Sequence, residues 1–335
     1  MFINIPYTAK SDNKKCIKTK KNIKNIHFSV FALTKISIGN FCSPISKRDE
    51  NLIIWNLDIV HCICKMESPK EECIKELRRL TNKRFILFTP RGNASIKLAL
   101  KLIKEKGRRI LLIQDQGGWI TYRQYAEKLK FSLKEIKTDY GLIPENSLEK
   151  NKSCALLINS LPAYAYYQEM NSISKICKRN DIFLINDASG SIGSKEAMYG
   201  NIILGSFGKW KPVDIGEGGF IATDEEKNFR FLSEKNTMPK ELDFNRLLHS
   251  LKSLQKRLRF FDAANKRLKK ELSQYDIIRR DKPGTNVIIK YKTAAEKEKI
   301  INYCVENNLP YTECPRYIRI LGNAICIEVK RLEMR

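Results

Sequence analysis

The chain has 335 residues, 42% of them apolar, enough to bury a substantial core in one large domain with an appendage or in two domains. No run reaches the ~18 apolar residues that a membrane span needs, and three histidines with no CxxC pair among ten cysteines leave little basis for a metal centre or a His-based triad. The formal net charge of +25 admits a nucleic-acid or other polyanion partner, but the lysines are scattered rather than striped, which favours compositional bias and a solvated surface.

Residues 1–65 read as a basic N-terminal extension, with Lys14, Lys15, Lys18, Lys20, Lys21 and Lys24 ahead of short β-like pieces. No compact apolar run directly follows these charges, so a secretory signal is not expected. The cysteines fit free thiols in a reducing compartment, and the chain is expected to be cytoplasmic. Met66 marks a domain boundary or the natural start. Just after it, Ser68 as N-cap, Pro69 at the first helical position and Glu71 at the third spell a helix to about Leu80.

From there the pattern alternates. Strands are predicted at 84–89, 110–113, 132–137, 155–158, 182–186, 201–204 and 219–223, and helices at 94–105, 121–129 and 171–180. Such alternation predicts a mostly parallel α/β sheet flanked by helices over residues 66–238, with ligands at the carboxyl ends of its strands. A long linking helix follows over 239–275. Its leucines 247, 248, 251, 254 and 258 stand at helical spacing and suit a core or dimer face. Residues 276–335 read as a small C-terminal α+β domain with strands at 286–291, 317–321 and 324–329 and a helix at 294–307.

Four segments fall at strand ends. Arg91-Gly92-Asn93-Ala94-Ser95 turns from a strand into a helix, whose first amides suit a phosphate. Asp115-Gln116-Gly117-Gly118-Trp119 offers an indole that can lie on an aromatic ring. Asp187 ends an apolar strand, so its carboxylate is expected to be nearly buried and to need a donor. Ser206-Phe207-Gly208-Lys209-Trp210-Lys211 leads to Glu217-Gly218-Gly219 and presents two lysines. A lysine and an aspartate on one sheet edge suit pyridoxal phosphate, the lysine as Schiff-base nucleophile and the aspartate on the pyridine nitrogen.

In order and spacing these segments resemble the DegT/DnrJ/StrS aminotransferase family, within the fold-type I pyridoxal-phosphate enzymes. Arg91 to Leu100 stands against the family's N-G-T-A-A-L-H-L-A-L. Asn186-Asp187-Ala188-Ser189 stands against its E-D-A-A, and Ser206-Phe207 through Lys211 against its S-F-H-x-T-K, with an acid and Gly-Gly six residues on. The resemblance covers about residues 66–225 well and the C-terminal part loosely. It implies the fold-type I architecture, a mostly parallel seven-stranded-type sheet with a small C-terminal α+β domain. Lys211 would be the catalytic lysine, with Lys209 the rival. Asp187 would pair with the ring nitrogen, Trp119 would stack on the ring, and Gly92, Asn93, Ala94 and Ser206 would bind the phosphate. Arg316 or Arg319 would hold a substrate carboxylate.

The sequence departs from the family at Gly190, where Gln or His is usual, and at Gly208, where the motif has histidine. The expected activity is transfer of an amino group from an amino-acid donor to a keto sugar or keto acid, by a homodimer and with no metal. Two alternatives stay open. One is a lyase or sulfur-transfer enzyme, acting even on a tRNA-linked substrate, with Cys314 or Cys304 as a persulfide cysteine. The other is a non-catalytic protein of the same fold that acts as a basic binding protein.

Overall fold

The computed structural model describes residues 67–237 and 242–334. The expected extension over 1–65 lies outside them. The first helix, α1 (Pro69–Thr81), begins as its sequence requires. Glu71 N donates to Ser68 Oγ at 3.2 Å and Ser68 N donates to Glu71 Oε2 at 2.8 Å, so two amides of the uncompleted first turn are satisfied reciprocally.

Seven strands then build one sheet: β1 (Phe85–Thr89), β2 (Ile110–Gln114), β3 (Ser132–Ile136), β4 (Ala155–Asn159), β5 (Phe183–Asp187), β6 (Ile202–Ser206) and β7 (Gly219–Thr223). Their order is β1-β7-β6-β5-β4-β2-β3, and every pairing is parallel except those that β7 makes with β1 and β6. The connecting helices are α2 (Gly92–Glu105), α3 (Thr121–Lys128) and α4 (Met170–Arg179), and α5 (Glu226–Lys235) follows β7.

Strand periodicity decides which helix each side chain meets. Leu111 and Ile113 pack with α2 residues such as Leu100 and Ile103, whereas Leu112 between them packs with Ile173 and Cys177 of α4. Likewise Ile202 and Leu204 face α2, while Ile203 faces α1 and the long helix α6 (Phe244–Glu271). The leucine stripe of α6 is core: Leu247, Leu251 and Leu254 are buried against Cys73, Leu77 and Phe220. This is the expected α/β architecture, and it brings the carboxyl ends of β1, β2, β4, β5 and β6 to one edge.

The second sheet has the order β10-β11-β9-β8, all antiparallel, from β8 (Asp276–Ile277), β9 (Val287–Lys290), β10 (Tyr311–Glu313) and β11 (Ala324–Ile327). One face packs on α7 (Ala294–Glu306) and the end of α6 through Ile289, Ile325, Ile300 and Phe261. The other face, with Ile288 and Cys326, covers Ala163, Ala165 and Tyr166 of the loop after β4. A strand expected at 317–321 is absent. The ladder partner of β11 is Tyr311–Glu313, and residues 316–318 form a 3-10 turn. Arg316 and Arg319 there have φ of 22° and 58°, which a pleated ladder does not accommodate.

Candidate active site

The four strand-end segments converge on a cavity of about 460 Å³ at the carboxyl edge of the large sheet. Its lining includes Gly92, Asn93, Trp119, Asp187, Ser206, Lys209 and Lys211. Ala94 does not line it; the Ala94 amide donates to the Arg91 carbonyl at 2.9 Å and closes the first turn of α2.

Lys211 stands on the loop joining β6 to β7. Phe207, Val213 and Ile215 turn inward and are buried beneath α6. The loop is pinned by Phe207 N to Gly218 O (3.0 Å) and Ile215 N to Phe207 O (2.9 Å). Asp214 closes it further, its carboxylate accepting from the Trp210 amide at 2.6 Å and the Gly216 amide at 3.0 Å. The Lys211 ammonium is thereby left inside the cavity, 5.6 Å from the centre of the Trp119 ring and 4.8 Å from that of Tyr164, and it donates to the Tyr164 hydroxyl. Burial holds Lys211 below its ordinary pKa, against the opposing pull of Asp187 and Asp214. Lys209 is exposed and lies over the Trp210 ring.

Asp187, 4% exposed, is satisfied at both oxygens. Tyr122 OH donates to Oδ2 at 2.5 Å and the Ser189 amide to Oδ1 at 3.0 Å. Burial, together with the nearby Asp187 charge, keeps the Tyr122 phenol well above its ordinary pKa, so it remains a donor. Gly118 gives this tyrosine room, since a Cβ there would stand 3.2 Å from its ring.

Trp119 is fixed edge-on by its Nε1–H, which donates to Asn93 Oδ1 at 3.0 Å; Thr121 Oγ1 donates to the same oxygen at 3.3 Å. Gly92 is demanded by close approach: a Cβ there would lie 2.6 Å from Ser206 Cβ. The Ser206 hydroxyl thus sits beside the start of α2, which no side chain caps.

The structure does not bring Arg316 or Arg319 into the cavity. Arg316 is exposed, and the Arg319 guanidinium donates to the Asp115 carbonyl at 3.2 Å, joining the small domain to the loop after β2. The small-domain cation that does line the cavity is Lys330, 6% exposed, with its ammonium 4.1 Å from the Tyr164 ring centre and 3.4 Å from Glu328 Oε2. Glu328 is fully buried and accepts from Thr312 Oγ1 (2.6 Å), Arg331 (3.1 Å) and Tyr317 OH. Four cations, Arg91, Lys209, Lys211 and Lys330, and the single carboxylate of Asp187 line the cavity, a balance that suits an anionic ligand.

Sequence reasoning missed Tyr122, Tyr164 and Lys330. A signal for Tyr164 was present in the run Pro162-Ala163-Tyr164-Ala165-Tyr166-Tyr167 directly after a strand. Cys314 and Cys304 line no part of the cavity and are buried, which pushes their thiols up to about 12 and about 11. Neither is placed as a reactive loop cysteine. The six cysteines of the described residues are all free and buried. Among the described residues no cluster of ligating side chains could hold a metal ion, and no helix is long and apolar enough to cross a membrane.

Comparison with known proteins agrees with this fold. Residues 159–274 match the model of the DegT/DnrJ/EryC1/StrS aminotransferase family, and residues 255–335 match the MJ1341 family C-terminal domain. No curated protein matches the chain. Among solved structures, a DegT DnrJ EryC1 StrS aminotransferase from Brucella abortus is similar at a TM-score of 0.61 and 14% identity, over 84% of this chain and 91% of that one. GDP-4-keto-6-deoxy-D-mannose-3-dehydratase from E. coli, with bound hydrated pyridoxal phosphate, is similar at 0.63 and 15%, over 80% and 89%. An aminotransferase of pseudoaminic acid biosynthesis from Helicobacter pylori is similar at 0.63 and 12%, over 78% and 86%. At these identities the solved structures establish the shared fold-type I architecture.

Proposed function

We propose that this protein is a pyridoxal-phosphate-dependent aminotransferase that moves an amino group from an amino-acid donor to a keto sugar or keto acid. One observation carries the reading: Lys211 and Asp187, from separate strand ends, meet in one cavity whose wall is the Trp119 indole. The residues fit the cofactor by their chemistry. An amine whose pKa burial lowers, a buried carboxylate that accepts from two donors, a flat indole, and an uncapped helix start beside a hydroxyl match an aldehyde, a pyridine nitrogen, a ring face and a phosphate.

Lys211 would hold the aldehyde end, Asp187 the ring nitrogen, Trp119 the ring face, and Gly92, Asn93 and Ser206 the phosphate. When bound, the cofactor supplies an electrophilic carbon for the donor's amine and a ring that accepts the electron pair released at the donor's α-carbon. The protein's part is positional and protonic. Lys211 removes the α-proton and later returns one. Asp187, oriented by Tyr122 and the Ser189 amide, would stabilise positive charge on the ring nitrogen. Arg91 and Lys330 favour an anionic substrate. The reading carries with it a cytoplasmic homodimer.

Its test is direct. Purified protein given pyridoxal phosphate should gain visible absorption that an amino donor bleaches and a keto acceptor restores. Borohydride should leave a pyridoxyl group on Lys211 in peptide mass spectra. A protein that stays colourless and binds RNA with steep salt dependence would instead be a binding protein of this fold.

A further inference from the structure

The loop that follows β4 brings a side chain to the cavity at an evident conformational cost. Ala163 and Tyr164 both have positive φ, 53° and 61°, in the left-handed region that non-glycine residues rarely occupy. Their carbonyls are tied down by the segment before β9. Asn286 Nδ2 donates to Ala163 O at 2.9 Å, and Tyr164 O accepts from the Asn286 amide (2.7 Å), the Thr285 amide (2.9 Å) and Thr285 Oγ1 (2.7 Å). This over-determined strain throws the Tyr164 ring across the cavity floor, where its hydroxyl accepts from Lys211. The ring fits only because residue 190 is glycine: a Cβ there would lie 2.7 Å from Tyr164 Cε1 and 2.9 Å from Cδ1.

We propose that Tyr164 is a positioning residue for Lys211, its phenol oxygen fixing the direction of the amine, and that Gly190 is the vacancy that admits its ring. The proposal rests on reading Lys211 as the reactive amine. Tyr164 keeps its proton throughout, since burial raises its phenol to about 12 despite the Lys330 charge. It therefore acts as a hydrogen-bond acceptor from Lys211, not as a base. An ammonium carries three N–H donors and a free amine two with one lone pair; one fixed acceptor restricts their rotation and so sets where the remaining N–H or lone pair points. The groups facing this pair are Asp187 from β5, Asp214 on the lysine's own loop, Lys330 and Glu328 from the small domain, and Tyr122 below Asp187. None of these occupies the place of the phenol oxygen against Lys211.

An acceptor on the ammonium favours its charged form, so removing the hydroxyl should make Lys211 lose its proton at lower pH. The test is competitive acetylation of the cofactor-free protein with acetic anhydride across a pH series, read at the Lys211 peptide by mass spectrometry. Tyr164→Phe keeps the ring and should lower the half-labelling pH of Lys211 by about half to one unit. Gly190→Ala, which pushes the ring without changing its chemistry, should shift it in the same direction. Combining the two should add nothing. In the loaded enzyme Tyr164→Phe should lower kcat about 10- to 100-fold with KM nearly unchanged. An unchanged half-labelling pH in both single variants overturns the proposal, and should Tyr164→Phe fail to fold, Gly190→Ala decides alone. A shifted half-labelling pH in a protein that never takes up pyridoxal phosphate would sink the cofactor reading while sustaining the Tyr164–Lys211 pair.

Discussion

Tyr122 reaches Asp187 from beneath the cavity floor, 65 residues away in sequence, and gives the aspartate its shortest hydrogen bond, 2.5 Å from phenol to Oδ2. Tyr122→Phe leaves a buried carboxylate with the Ser189 amide as its remaining bond on that side of the sheet. The variant should lose about 1.5–3 kcal/mol of stability at pH 7, measured by urea denaturation with unchanged slope. Its affinity for pyridoxal phosphate should fall, read by absorbance titration.

Lys211 is held in the cavity at a cost in stability. Its folded pKa lies below the unfolded value of 10.5, so the unfolded chain binds more protons and stability rises with pH through that window. The penalty is fully present below the folded pKa and fades as pH rises from there to 10.5. Lys211→Met should therefore be about 0.5–2 kcal/mol more stable than the parent at pH 7. The difference should shrink as pH rises towards 10.5, and the variant should give no borohydride-trapped pyridoxyl peptide. Lys209→Ala should retain the trapped peptide on residue 211; loss of it there would transfer the role to Lys209.

Glu328 is held below its ordinary value of 4.5: burial pushes it up, but hydrogen bonds from Thr312 and Tyr317 and the Lys330 and Arg331 charges outweigh burial. A depressed carboxylate stabilises the fold above its unfolded pKa and loses that contribution as pH falls through its folded value. Glu328→Gln, which strands two cations, should cost about 3–5 kcal/mol at pH 7. The gap to the parent should narrow below pH 4, as followed by denaturation at graded pH.

Gly284 presses on the backbone of the loop after β4, where a Cβ would stand 1.8 Å from the Ala165 carbonyl oxygen. No side-chain rotation relieves that overlap. Gly284→Ala should cost about 3 kcal/mol or more, or prevent soluble expression, as read from the thermal midpoint. Gly107→Ala is the control: φ is +74° there but nothing lies within 4 Å, so the milder backbone strain is felt in place of the steric overlap.

The local elements were legible because their signals are local. The Ser68–Glu71 capping box, the apolar strands and the leucines of α6 each declare themselves within a few residues. Lys211, Asp187, Gly92 and Trp119 stood out because turns at strand ends concentrate unusual residues. Tyr122, Tyr164 and Lys330 did not. A tyrosine in a helix, Tyr122, and a lysine near a chain end, Lys330, have no spacing that marks them, and the aromatic run that holds Tyr164 does not say which of its tyrosines turns into the cavity. The 317–321 segment misled for a related reason. Ile318 and Ile320 alternate as in a strand and are buried, but in an irregular loop whose left-handed arginines break the extended backbone.

The cavity has two walls of different origin. Lys211, Asp187, Trp119 and Ser206 all come from the edge of the large sheet, while Tyr317, Ile318 and Lys330 close it from the last twenty residues. The groups proposed to react and the groups that close the cavity opposite them are therefore carried by separate segments of the chain. Under the proposed activity, grafting the terminal segment of a related chain onto this one would change the acceptor side and leave the wall of Lys211 and Asp187 intact, provided that the graft keeps the Thr285–Asn286 bonds that hold Tyr164 in place.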